Sequence, residues 1–159
     1  MFKSIVWASD GSHHSEKSLP YVTELARRDD ATVTIAHVVE RIEGAGVTGP
    51  PRRADEGDVQ ARLRELTQRL SDEGVNASLR ICGEVGVKPA QELAKIARES
   101  NADLIVVGTR GRSAMAGVLL GSVAYRLLHV APCPVLAVPP DAEEALERLS
   151  SARDRASTA

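Results

Sequence analysis

Five short apolar runs, separated by helical patterns and bounded by turn residues, constrain this chain of 159 residues more than any other feature. Residues 4–9 (Ser-Ile-Val-Trp-Ala-Ser) and 103–107 are almost continuously apolar, as strands buried on both faces of a parallel sheet must be. Residues 32–39 are rich in β-branched side chains and read as a second strand. In 76–82, Ala77, Leu79 and Ile81 alternate with polar neighbours, which suits an edge strand with one wet face. A fifth short strand spans 135–138. Between them, Leu19, Val22, Leu25 and Ala26 form the inner stripe of a helix over 15–28, capped by Ser15. Val59, Leu63, Leu66 and Leu70 do the same over 57–73, which Gly74 ends. Ala90, Leu93, Ala94 and Ala97 line a helix over 88–100, and a fourth helix covers 123–130 until Pro132 and Pro134 stop it. Pro20 falls one turn into the first helix, so that helix either starts nearer Ser18 or bends there.

Strands that alternate with helices specify a doubly wound α/β domain with a five-stranded parallel sheet and helices on both faces. With the first and fourth strands central, right-handed crossovers give the strand order 3-2-1-4-5. The winding then reverses between strands one and four, and ligands of such folds bind outside the strand ends at that reversal. Those ends are Asp10 and Gly108. Residues 1–140 are expected to form this one domain. Residues 141–159 are expected to be a tail, partly helical through Ala142, Ala145, Leu146 and Leu149 or disordered.

Composition narrows the partners. Twenty basic and 22 acidic side chains leave a net charge of -2, which is no electrostatic footprint for nucleic acid. No apolar run approaches the ~20 residues that span a bilayer. The start, Met1-Phe2-Lys3-Ser4, runs directly into a strand, so no signal peptide is expected and the reading is cytoplasmic. Cys82 and Cys133 stand far apart and outside any C-x-x-C pair. Two buried, reduced thiols are the simplest account, and a disulfide or metal site is the alternative.

The fourth strand opens into Gly108-Thr109-Arg110-Gly111, and nine residues later Gly121-Ser122 opens a helix. Glycines let backbone N–H groups approach a ligand with no Cβ between them. The helix start adds unpaired N–H groups and the positive end of its dipole. This loop is therefore expected to hold phosphates, with Asp10 across the crevice from it. It lacks the Walker lysine. A receiver domain would want a second acidic residue beside Asp10 and a lysine after the fifth strand, where Pro139-Pro140 stands. His13-His14 has no third metal ligand in evidence, His37 in its strand reads as packed, and no Ser/His/Asp or Cys/His arrangement stands out.

The glycine loop, the Asp10-Gly11-Ser12 turn, His37-Val38 and Ala131-Pro132-Cys133-Pro134-Val135 together resemble the universal stress protein family over residues 2–139. The resemblance is to the subclass with the complete G-x2-G-x9-G-[ST] motif, and it implies ATP as a ligand, with or without Mg2+. It places Asp10 by the ribose or base, and the Val38 backbone at the adenine edge with Ala8 and Ser9 beside it. Val107, Gly108, Arg110 and Gly111 would line the ribose and phosphates. Gly121, Ser122 and Val123 would offer N–H groups to the phosphates, with Arg112 and Ser113 as further contacts. It also implies a homodimer through the fifth strand (Val135, Leu136, Ala137, Val138). Pro20, Trp7 and the tail after Pro140 depart from the family pattern, and the long loop over 40–55 is variable there. The function so implied is a nucleotide-responsive stress, signalling or protective module. The alternatives are a slow ATPase or autophosphorylating protein with Ser122 or Ser113 as acceptor, a binder of AMP or cyclic AMP, and a structural interaction protein. Beyond Asp10 the sequence offers no evident general base or Mg2+ carboxylate set, so any hydrolysis is expected to be slow.

Overall fold

The computed structural model describes residues 1–41, 51, 53–111 and 120–142. In chain order the elements are β1 (Ser4–Ala8), α1 (His13–Glu16), α2 (Leu19–Asp29), β2 (Thr32–Val38), α3 (Glu56–Asp72), β3 (Ala77–Cys82), α4 (Pro89–Glu99), β4 (Leu104–Gly108), α5 (Ser122–Val130) and β5 (Val135–Val138). The five strands form one parallel sheet in the order β3-β2-β1-β4-β5, the order expected from the sequence.

The period-two alternation of strands sorts the core into two layers. Ile5, Trp7, Val33, Ile35 and Val106 pack with Val22 of α2 and with Leu63 and Leu70 of α3. Val6, Ala8, Ile105 and Val107 pack on the other face with Leu93 and Ile96 of α4 and Leu127 of α5. β1 and β4 are covered on both sides, which is why their sequences carry no polar alternation. β3 is an edge strand and most of its residues are half-buried.

The first helical region differs from its expected form. It is two helices, and Ser12 rather than Ser15 caps the first, accepting the Ser15 N–H at 3.2 Å. The chain restarts at Leu19 with Pro20 in the first turn of α2, where a missing N–H has no intrahelical partner to lose. The later of the two possible starts is therefore the one adopted, without a bend. Ser18 is fully buried, and its Oγ accepts the indole N–H of Trp7 at 2.8 Å while donating to the Ser15 carbonyl at 2.6 Å. This explains how an indole fits a strand position that suits an aliphatic side chain. Cys82 and Cys133 are free thiols, half-buried rather than fully buried as expected. Burial, with Asp103 nearby, pushes the Cys133 thiol up.

At the end of α2, Asp29 binds Arg28 through both carboxylate oxygens at 2.9 and 3.0 Å and accepts the Phe2 N–H at 2.8 Å. Arg28 and that N–H hold its carboxyl well below the usual range. A lowered native pKa contributes stability above the unfolded value of about 3.9 and loses it as pH falls further. Asp29→Asn is therefore expected to flatten the loss of stability below about pH 4, as followed by acid titration of Trp7 fluorescence. Ser18→Ala should cost about 1–3 kcal/mol in urea denaturation because the indole N–H is left buried without an acceptor. Adding Trp7→Phe should recover part of that cost.

Candidate functional site

The pairing of β1 with β2 ends at Ala8 and Ala36, and that of β1 with β4 ends at Ala8 and Val107. Beyond these rungs the chain leaves β1 toward α1 on one face of the sheet and leaves β4 toward α5 on the other. A crevice of about 260 Å³ opens between them. Ala8, Ser9, Asp10, Val38, Val107, Gly108, Arg110, Gly111, Gly121, Ser122 and Val123 all line it. Arg112 and Ser113 lie outside the described residues. A larger cavity of about 450 Å³ lies between α2 and α3, away from the glycine loop. Its walls carry both signs of charge, and an Arg27–Glu73 ion pair at 2.8 Å links them.

One wall of the crevice is the Asp10 turn. Asp10 Oδ1 accepts the Ser12 N–H at 2.9 Å, and Ser9 Oγ accepts the Gly11 N–H at 3.2 Å. Gly11 sits at φ +69°, and a Cβ there would come within 2.4 Å of the Val59 side chain, so only glycine fits both constraints. The opposite wall is the loop after β4. A Cβ on Gly111 would stand 2.6 Å from Asp10 Oδ2, so the loop backbone lies directly against that carboxylate.

The floor of this wall is the start of α5. Gly121 is its N-cap, brings no side-chain cap, and donates its own N–H to the Thr109 carbonyl at 2.7 Å. The first bond of the helix runs from the Tyr125 N–H to the Gly121 carbonyl at 2.9 Å. The N–H groups of Ser122, Val123 and Ala124 therefore have no intrahelical acceptor. All three residues line the crevice, at the positive end of the helix dipole. Among the described residues the Arg110 guanidinium has no ion-pair or hydrogen-bond partner, and it lines the same crevice. One wall thus offers donors and positive charge. The other offers a carboxylate and the half-buried end of β2.

Several lining residues gave no local signal in the sequence. His37 is buried as expected, yet its ring is engaged at both nitrogens. Nδ1 donates to the Ser9 carbonyl at 2.9 Å, and Nε2 lies 2.8 Å from Glu56 Oε1. Arg53, in the loop before α3, donates from Nη1 to the Asp10 carbonyl at 2.5 Å and grips Asp55 at 3.1 and 3.2 Å. Ser15, Ala36, Glu40, Pro89 and Leu93 also line the crevice. Partners 19 and 43 positions apart, as His37–Glu56 and Asp10–Arg53 are, leave no periodic trace.

The model of the universal stress protein family matches residues 1–139. The chain belongs to that family. It is similar to a universal stress protein of Methanocaldococcus jannaschii, 33% identical over 147 residues, a match that covers 87% of this chain and 82% of that one. Among solved structures it is similar to the universal stress protein from Archaeoglobus fulgidus in complex with dAMP. That match has a TM-score of 0.62 and 25% identity, and covers 87% of this chain and 98% of the other. It is also similar to a universal stress protein in complex with cAMP, with a TM-score of 0.59, 26% identity, and coverage of 88% and 98%. Among the described residues of this family member, no helix is long and apolar enough to cross a membrane.

The contact between loop and carboxylate is testable without a ligand. Gly111→Ala should push the Asp10 carboxylate aside and loosen its bond to the Ser12 N–H. Amide exchange at Ser12 should then speed up by about tenfold while the melting temperature moves by only a few degrees.

Proposed function

We propose that this universal stress protein binds an adenine nucleotide in the crevice, with ATP as the ligand, and acts as a nucleotide-responsive stress, signalling or protective module in the cytoplasm. The observation that carries the reading is the convergence, in one crevice, of the uncapped α5 amides and of Arg110, which has no partner among the described residues, opposite Asp10 and Val38. The donors suit phosphate oxygens, and the Asp10 and Val38 wall suits a ribose and a base edge. Glycine at 108, 111 and 121 keeps the backbone close on that side. A Cβ on Gly108 would meet the Arg110 carbonyl at 3.0 Å, and one on Gly121 would meet the Thr109 carbonyl at 3.3 Å. These residues fit a nucleotide. Among the described lining residues, Asp10 and Glu40 are the carboxylates that would face a Mg2+ accompanying it.

Binding confined to the native state stabilises it by RT ln(1 + [L]/Kd), about 2.7 kcal/mol at a hundredfold excess over Kd. The nucleotide level can then tune folding or assembly with no bond broken. We infer a homodimer in which a second copy covers β5. The strand is an edge of the sheet, and its Val135, Leu136 and Ala137 are only half-buried. An uncovered apolar edge is a liability for a lone chain. A second reading, binding of an adenine monophosphate, is favoured by the dAMP and cAMP complexes of the similar structures.

Titration calorimetry with ATP, AMP and cyclic AMP decides between these readings, with ADP release followed in parallel. ATP is expected to bind most tightly, and ADP is expected to accumulate slowly or not at all. An absence of binding by every adenine nucleotide overturns the proposal. Gly121→Val suits the backbone, since φ -66° and ψ 157° are ordinary for any residue, and should weaken ATP binding at least about tenfold. Asp10→Ala should weaken adenosine more than inorganic triphosphate.

A further inference from the structure

The end of β2 carries a hydrogen-bond exchange that the nucleotide reading leaves unexplained. Amides alternate along β2. Those of Val33 and Val39 donate toward β3, to the Asn76 and Cys82 carbonyls at 2.8 and 2.6 Å. That of Thr32 donates toward β1, to the Lys3 carbonyl at 3.0 Å. The period of two places the Val38 N–H on the β1 side. On that side the next rung would be the Ser9 carbonyl, since the Ser9 N–H already donates to the Ala36 carbonyl at 3.0 Å. Pairing nevertheless stops at Ala8 and Ala36. The Ser9 carbonyl accepts from His37 Nδ1 at 2.9 Å instead.

The ring is held in that pose. Its Nε2 meets Glu56 Oε1 at 2.8 Å, and the same oxygen accepts from Gln60 Nε2 at 3.0 Å. The His37 and Glu56 side chains are only 2% and 6% exposed. A carbonyl can only accept, so Nδ1 carries a hydrogen, and a second proton lies between Nε2 and Oε1. An interaction of this kind, buried and costly to desolvate, is weak evidence for stability alone. Its position at the last rung beside the crevice gives it another use.

We propose that His37, oriented by Glu56, is a positioning residue. By occupying the Ser9 carbonyl it keeps the Val38 N–H out of the sheet ladder and open to the crevice, where it serves an acceptor nitrogen of a heteroaromatic base. This deepens the nucleotide reading and rests on it for the identity of the ligand. The rearrangement of the ladder does not depend on that reading.

The test reads both levels. In the ligand-free protein, amide exchange by NMR should show Val38 at least about a hundredfold less protected than Val39, its neighbour in the ladder to β3. In His37→Leu/Glu56→Leu the apolar pair replaces the buried polar one, a change that is often neutral or stabilising, so the melting temperature should hold or rise. The Ser9 carbonyl is then free for Val38. Protection at Val38 should rise at least about tenfold. Adenosine affinity should fall about fivefold to tenfold, the worth of one hydrogen bond. Glu56→Gln can keep both bonds of the ring and should bind adenosine within about threefold of the wild type. If the double leucine variant fails to fold, His37→Met/Glu56→Gln, which buries no charge, carries the same measurements. Val38 as protected as Val39 in the wild type overturns the inference, and so does unchanged adenosine affinity in a folded variant lacking the ring. A wild type that binds no adenine nucleotide overturns the nucleotide reading instead, and the exchange data still decide the role of His37 in the ladder.

Discussion

The constraint on which the rest depends is the parting of the chain beyond β1 and β4. Both strands are apolar on both faces, so helices must cover each side of the sheet. Right-handed crossovers then send the chain after β1 to one face and the chain after β4 to the other. Where two neighbouring strands feed opposite layers, no connection passes over their ends. The crevice is therefore a consequence of topology, formed before any residue in it is specified. Asp10 and Gly108 face one another there because one lies two residues past β1 and the other is the last residue of β4, both central strands.

What fills the crevice wall is decided by backbone geometry more than by side chains. Gly111 lies so close to Asp10 Oδ2 that a Cβ would stand 2.6 Å away, and this proximity narrows the cleft between carboxylate and loop. Gly121 does something different. Its φ and ψ are ordinary, so its value is the missing side-chain cap, which leaves the first amides of α5 pointing at the crevice without a local acceptor. A serine or aspartate at that N-cap would stabilise the helix over glycine by only about a few tenths of a kcal/mol, while competing with an external anion for the same donors. The loop thus gives up little local stability for an unfilled set of donors. Arg110 is the one cation among the described lining residues on that wall.

The sheet, the Asp10 turn and the glycine wall of the crevice were legible in the sequence because their signals are local, whereas Ala8, Ser9 and Val38 were reached only through the family resemblance. Continuous apolar runs marked β1 and β4 as central, alternation marked β3 as an edge, and the glycine spacing marked the loop and the start of α5. The same local rules failed at α1. Ser12 takes the cap, while the Ser15 hydroxyl is buried and engaged with Ser9 Oγ, a tertiary contact, and with the Ser12 carbonyl. The engagement of His37 with Glu56, and of Arg53 with the Asp10 carbonyl, could not be read at all. Each joins residues on different elements through one atom pair, and composition carries no record of such a pairing. Glu56 fell one residue outside the expected helix, which started at Gly57, because its burial comes from the partner it meets and not from a hydrophobic stripe.

These unread contacts share one target. The carbonyls of Ser9 and Asp10 are successive acceptors, and each is held by a side chain tied to the start of α3, one through His37 and Glu56, the other through Arg53 and Asp55. Two successive peptide units, each gripped at its carbonyl, have little freedom to reorient, so the Asp10 wall is fixed in the ligand-free protein. Preorganisation of this kind lowers the ordering cost of binding, which otherwise offsets much of the contact energy. It also implies that the start of α3, though no residue of that helix lines the crevice, belongs energetically to the site. A ligand resting on Asp10 and Val38, as proposed, would then be coupled to the packing of α3 on the sheet, and occupancy of the crevice would stabilise a helix that lies outside it.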